Sequence, residues 1–212
     1  MTGSFFPRAF FVTGTDTGIG KTLVCAVLIK GLAAAYWKPI QSGSGDITDT
    51  DWLRKATGLP ESHFLPETFR LTQPLSPHAA AEFDGVRISL DDLYLPHANQ
   101  FRHLIVEGAG GVMVPINERQ FMKDLICHLK LPVLLVARST LGTINHTLLS
   151  LQSLRQAGLD ILGVVMNGPK NNINRHAIEF YGGVNVCAEI DILPMITPQT
   201  LLESFSKYFH SL

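Results

Sequence analysis

The segment Gly14-Thr-Asp-Thr-Gly-Ile-Gly-Lys-Thr22 joins glycines, a lysine and a hydroxyl in an order suited to anion binding. Glycines let successive backbone N–H groups turn inward on one ligand. A helix starting near Gly20 adds the partial positive charge of its N-terminus. Lys21 is then placed to bridge the β- and γ-phosphates, and the Thr22 hydroxyl to ligate Mg²⁺. The chemistry is binding of a nucleoside triphosphate. Gly14 and Gly20 are separated by five residues where the common phosphate loop has four. Either the loop is one residue longer, or Thr15 takes the first glycine's place.

Two further groups could act on the same phosphates. Lys38 opens the run Lys38-Pro-Ile-Gln-Ser-Gly43 at the end of an expected strand, Tyr36–Ile40. A second ammonium there would stabilise charge that develops during phosphoryl transfer; the other reading of Lys38 is a solvated surface lysine. Asp46, Asp49 and Asp51 follow, each a possible Mg²⁺ ligand or helix N-cap. Glu107 stands after the apolar run Leu104–Val106 and before Gly108-Ala-Gly-Gly111. An acid at a strand tip, in a chain with a phosphate loop, reads as a second Mg²⁺ carboxylate; the alternative is a turn whose Glu107 is merely exposed. The glycines after it would let backbone amides approach a small ligand.

These residues need a scaffold, and the apolar patterning supplies one. Short runs at Ala9–Thr13, Leu104–Val106, Val133–Ala137 and Ile161–Met166 read as strands buried on both faces. Thr22–Ala34, Phe121–Leu129 and Thr143–Ala157 carry helical spacing, with Gly158 as a C-terminal stop. Alternating strands and helices predict an α/β fold: a mostly parallel central sheet with helices on both faces. Residues 43 to 101 are richer in Pro, Ser and Asp and read as insertions at the sheet's edge, with helical pieces at Asp49–Thr57 and Ser89–Ala98. The 212 residues are expected to form one domain, 1–212.

Composition narrows the class. With 46% hydrophobic and 17% charged residues, the chain is globular rather than disordered. A formal charge of −1 gives no basic footprint for nucleic acid. No apolar run has the length of a membrane span, and no signal-peptide pattern opens the chain, so no membrane partner and a cytoplasmic location are expected. Cys25, Cys127 and Cys187 have unrelated spacings and are expected to be reduced thiols. His78 and His146 are read as structural.

Five motifs in order resemble those of the dethiobiotin synthetases. They are Gly14-Thr-Asp-Thr-x-x-Gly-Lys-Thr22, Lys38-Pro-x-x-Ser-Gly43, Ser76-Pro-His78, Val106-Glu-Gly-Ala-Gly-Gly111 and Leu141-Gly-Thr-Ile-Asn-His146, and they extend over about two-thirds of the chain. The resemblance implies a P-loop NTPase-like fold and a homodimeric, Mg²⁺- and ATP-dependent cyclo-ligase. It would convert 7,8-diaminononanoate and CO₂ to the cyclic urea dethiobiotin, releasing ADP and phosphate. No protein nucleophile is required, so positioning and charge stabilisation are the chain's tasks.

By this resemblance Lys21, Lys38 and Thr17 are catalytic. Thr22, Asp51 and Glu107 hold Mg²⁺, Asp51 because it begins the following helical segment. ATP lies against Thr17, Gly18, Ile19, Gly20, Lys21, Thr22, Leu23, Asp51, Glu107, Gly108, Ala109 and Gly110, with Asn167 and Gly168 at the base. Ser42 lies beside the reacting groups, and Gly142, Thr143 and Asn145 receive the substrate carboxylate from the partner subunit's helix start. The chain departs from the pattern in several places. Gly18 stands where some members carry an acid, sixteen residues separate Lys21 from Lys38, Gly168 replaces an Asp, and Asp191 a proline. The rival expectations are an amidating synthase and a switch-type P-loop ATPase that works through partner proteins. The first usually needs a glutamine-hydrolysing domain, for which there is no room. The second often has an extra lysine early in the loop, where Thr15, Asp16 and Thr17 stand.

Overall fold

Strand β1 (Ala9–Gly14) shows how the sequence makes layers. Its side chains alternate, so Phe10 and Val12 join one apolar cluster while Phe11 joins the other. The computed structural model describes residues 5–45 and 47–209; Asp46, one of the three candidate acids, lies outside them. β1 leads through the glycine-rich segment into α1 (Lys21–Leu32), then β2 (Ala35–Trp37) and β3 (Ile40–Ser42). Next come α2 (Asp49–Thr57), β4 (Phe64–Leu65), β5 (Phe69–Leu71), α3 (Pro77–Phe83), β6 (Leu104–Gly111) and α4 (Met122–Leu129). β7 (Val133–Arg138), α5 (Thr143–Gln156), β8 (Ile161–Asn167), α6 (Asn172–Gly182), β9 (Val186–Ile190) and α7 (Pro198–Phe209) complete the chain.

Seven strands form one sheet in the order β4-β2-β6-β1-β7-β8-β9, and all its pairings are parallel. On one face α1, α2 and α7 bury Val24, Leu28, Leu53 and Leu201. On the other, α4, α5 and α6 bury Leu125, Leu151 and Ile178. The chain is therefore a single α/β domain with helices on both faces, as its patterning predicts. β1 lies centrally, so its carboxyl end opens where the neighbouring strands β6 and β7 also end.

Several elements differ from expectation. The strand expected over Tyr36–Ile40 is split. β2 ends at Trp37, and β3 pairs with β5 in a separate two-stranded sheet. Pro39 has no N–H for a ladder, while its carbonyl accepts from Thr68 and Phe69 N–H. The expected turn after Val106 is strand instead: β6 runs on through Gly111, and Glu107 pairs in register with Val12. Only Leu90–Asp92 of the helix expected over Ser89–Ala98 forms, as a 3₁₀ turn. Pro96 disfavours helix at Leu95 and supplies no donor. The short Lys21–Lys38 connection comes from a tight return. Ala33 is left-handed (φ 48°), and only Ala33 and Ala34 separate α1 from β2.

Residues 43 to 101 are not separate from the core. β4 extends the main sheet at its edge, and Leu71, Ala80, Ile88 and Leu93 join the apolar cluster of Phe11 and Val106.

Candidate active site

At the carboxyl ends of β1, β2 and β6 lies a cleft of about 570 Å³, lined among others by Thr17, Lys21, Thr22, Lys38, Ser42, Asp49 and Glu107. The loop that forms one wall is shaped by two left-handed glycines, Gly18 (φ 69°) and Gly20 (φ 90°). Asn167, at the end of β8, donates its Nδ2 to the Ile19 carbonyl at 2.9 Å. A Cβ on Gly20 would fall 2.1 Å from that Nδ2, so a side chain there would displace the Asn167 amide from Ile19, and the left-handed backbone already favours glycine. Asp16 accepts from Thr17 N–H at 2.7 Å and pairs with Arg138 at the end of β7. Lys21 is buried, and its Nζ donates to the Asp16 carbonyl at 2.9 Å across the loop. Burial pushes its pKa down, against the opposing pull of Glu107.

Lys38 is the other cation. Only 4% exposed, its Nζ lies 2.5 Å from Asp49 Oδ2 and 3.2 Å from Glu107 Oε1. Burial opposes its charge, but Glu107 and Asp49 outweigh burial and raise its pKa, so the ammonium stays protonated. Burial would raise the Asp49 pKa, but the Lys38 ammonium outweighs it and lowers the pKa, with Thr22 adding a hydrogen bond.

Thr22 Oγ1 sits 3.1 Å from Asp49 Oδ1 and 3.0 Å from Glu107 Oε1. One hydroxyl has one proton, so it can donate to only one of these carboxylates at a time. Three hard oxygen donors thus converge beside the phosphate loop. Two carboxylates and a hydroxyl are what Mg²⁺ takes from a protein when phosphate oxygens and waters complete its shell.

Asp51 does not join them, which corrects its expected place as a metal ligand. Its Oδ2 accepts from Thr48 N–H and Oγ1 at 3.3 and 2.7 Å, and its Oδ1 pairs with Arg54 at 2.7 Å. Thr48 and Asp51 form the capping box of α2, and Asp49, the first residue of the helix, faces the cleft. The Thr48-x-x-Asp51 spacing is itself a capping-box signature and could have assigned the two acids. Gln41, which sequence reasoning missed, fixes Asp49 by accepting its N–H at 3.2 Å.

Thr17, Gly18, Gly20, Ala109 and Gly110 line the cleft with Lys21 and Thr22. Ile19 is buried, Leu23 packs against the α1 cluster, and Gly108 sits where a Cβ would meet the Phe11 ring at 2.7 Å. These three do not face the cleft. Ser42 does, with its Oγ buried and unpartnered. Gly168 (φ 127°) follows Asn167 and packs on Ser139. Gly142, Thr143 and Asn145 form the start of α5, outside this cleft. Thr143 Oγ1 donates to the Arg138 carbonyl at 2.5 Å, and Asn145 is exposed. His78 contacts Ser76 Oγ at 3.0 Å, and both His78 and His146 are exposed. Tyr36 is a further residue missed: fully buried, it donates its hydroxyl to Glu107 Oε2 at 3.0 Å.

Residues 8–200 match the model of a family described as an AAA domain. The ATP-dependent dethiobiotin synthetase of Paramagnetospirillum magneticum is 52% identical over 194 residues, 92% of this chain and 93% of that protein. The Brucella ovis protein of the same name is 41% identical over 199 residues, 94% of this chain and 93% of its own length. A biotin biosynthesis bifunctional protein of Bordetella avium is 47% identical over 92% of this chain, which covers 42% of that protein. Among solved structures, the MinD cell division protein of Aquifex aeolicus covers 94% of this chain and 96% of its own, with TM-score 0.53 and 13% identity. A ParA family ATPase of Chlorobium tepidum covers 96% and 90%, with TM-score 0.50 and 14% identity. These two resemblances concern the fold alone.

Proposed function

Because the chain belongs to the ATP-dependent dethiobiotin synthetase family, ligases that form C–N bonds, we propose that it closes the cyclic urea of dethiobiotin from 7,8-diaminononanoate and CO₂ in biotin synthesis. The observation that carries this reading is the convergence of Lys21, Lys38, Thr22, Asp49 and Glu107 around one cleft, beside the buried, unpartnered Ser42 hydroxyl. Two cations and a set of oxygen ligands suit a transferring phosphoryl group. No protein nucleophile is called for.

One substrate amine adds to CO₂ and loses a proton, giving a carbamate. A carbamate oxygen attacks the γ-phosphorus and ADP departs, leaving a carbamic–phosphoric anhydride. The second amine attacks the carbonyl carbon and gives up a proton, phosphate leaves with the bonding electrons and can take that proton, and the ring is closed. Lys21 spans the β- and γ-phosphates. Lys38, held charged by its two carboxylates, lies against the carbamate and the oxygens that gain charge. Thr17 and Ser42 orient the reacting ends, and the Thr17–Gly20 backbone cradles the phosphates. Thr22, Asp49 and Glu107 would hold Mg²⁺, which would supply neutralisation of phosphate charge. Asn167 holds the loop through Ile19, and with Gly168 borders the base.

The start of α5, with Gly142, Thr143 and Asn145, takes the substrate carboxylate of the other subunit in a homodimer. The switch-ATPase alternative shares the fold of MinD and ParA.

The test is a coupled assay with MgATP, 7,8-diaminononanoate and bicarbonate. ADP release should need diamine and carbon source together and match urea formation. Equally fast hydrolysis without them, with no urea product, would overturn the reading in favour of the switch ATPase.

A further inference from the structure

Glu107 is 1% exposed and pairs in register with Val12 inside the sheet, so few groups can set the rotation of its carboxylate. The two oxygens have different surroundings. Oε1 faces the cleft, with Thr22 Oγ1 at 3.0 Å and Lys38 Nζ at 3.2 Å. Oε2 faces inward and accepts the Tyr36 hydroxyl at 3.0 Å. Tyr36 belongs to β2, one strand away, and is itself fully buried among Val24, Leu28, Phe64 and Ile105. Its ring meets Phe64 edge-on at 6.4 Å.

We propose that Tyr36 is a positioning residue, whose O–H bond to Glu107 Oε2 keeps Oε1 turned toward Thr22, Lys38 and the bound Mg²⁺. The inference rests on the reading of Glu107 as a Mg²⁺ ligand. A carboxylate needs to be held to bind a small cation with strict geometry, and groups that hydrogen-bond ligands change metal affinity by about 10–100-fold when removed. A phenylalanine at this position keeps the ring and its packing but removes the Tyr36 hydrogen bond to Oε2.

The test is a titration of Mg²⁺ into the full chain with the non-hydrolysable β,γ-imido analogue of ATP, followed by equilibrium nucleotide binding without diamine. Tyr36→Phe should raise the half-saturating Mg²⁺ concentration by about tenfold while leaving metal-free nucleotide affinity unchanged. Phe64→Leu, which loosens the same cluster but keeps the hydroxyl, should lower the melting temperature and leave the Mg²⁺ titration in place. A Tyr36→Phe curve that overlays the wild type overturns the proposal, and so does a Phe64→Leu curve displaced as far as that of Tyr36→Phe. Should Tyr36→Phe fail to fold, Tyr36→Phe/Glu107→Gln, which carries no buried carboxylate to partner, recovers a folded protein if the hydroxyl serves Glu107. No recovery overturns the proposal. The titration involves neither diamine nor CO₂, so failure of the urea-forming assay with wild-type protein would count against the ligase reading alone.

Discussion

Asp49 and Asp51 stand two residues apart at the start of α2, and their carboxylates have different partners. Asp49 faces Lys38 and Thr22, while Asp51 completes the cap with Thr48 and pairs with Arg54. Asp49→Asn should therefore raise the Mg²⁺ concentration for half-maximal turnover by at least about tenfold. Asp51→Ala should lower stability in urea unfolding by less than the ~0.5–2 kcal/mol that loss of the N-cap residue itself costs, and leave turnover unchanged. The opposite pattern of metal dependence would return the ligand role to Asp51. The charge on Lys21 also depends on pH. Burial holds its pKa below the ordinary lysine value in the free protein, and a bound triphosphate favours the charged form and raises it. Nucleotide affinity is thus full below the free-protein pKa and weakens as pH rises from there to the bound-state value. Lys21→Arg, whose guanidinium does not titrate in this range, should flatten the fall in a plot of log Kd against pH. A wild-type plot that stays level across the alkaline range would show that Lys21 charge does not support binding.

Helix α1 carries the site's lysine and threonine at its first turn, and its far end is fixed by contact with α7. A Cβ on Gly31 would lie 1.9 Å from the Phe205 ring, so the two helices touch where α1 has no side chain. Gly31→Ala gains up to about 1 kcal/mol of helix propensity but faces an overpacking cost of about 1–3 kcal/mol. A net loss of stability is expected, read as a lower denaturant midpoint, and Gly31→Ala/Phe205→Ala should remove the clash term. A single variant more stable than wild type would mean that the helices can separate at no cost. This contact also shows where sequence reading stops. The phosphate loop was legible because a strand, glycines and Gly-Lys-Thr lie within one short segment. The α2 helix was legible from Asp49 to Thr57 because its cap and stop are local. β4 and β5, two and three residues long, have no periodicity to read. The switch of sheets at Pro39 and the Tyr36–Glu107 bond depend on partners distant in the chain. Glu107 was found by residue type, whereas its place inside a strand follows from the pairing of β6 with β1 and β2. The assignment among Asp46, Asp49 and Asp51 failed at the cap, where the acid that starts a helix and the acid that caps it were exchanged.

At the scale of the whole molecule, the cleft and the start of α5 are separate surfaces of one chain. Asn145 is exposed, and the nearby Leu141, Leu149 and Met113 are 100%, 56% and 49% exposed, apolar surface of the kind that subunit contacts cover. If α5 serves the cleft of a second copy, each active site combines Lys38 of one subunit with Asn145 of the other. Lys38→Ala removes the ammonium, and Asn145→Asp places a negative charge where the substrate carboxylate is to bind, so each homodimer alone should be nearly inactive. In a mixed dimer one site carries both defects and the other carries neither. Equal amounts of the two variants, unfolded and refolded together, should recover about a quarter of wild-type turnover, the value for random reassortment of two-fold dimers with one intact site in each mixed pair. Separately refolded and then combined samples should recover it only as fast as subunits exchange. Activity that never exceeds the sum of the two variants, in a sample shown by sedimentation to contain mixed dimers, would place Asn145 and Lys38 in the same subunit's site or remove Asn145 from substrate binding altogether.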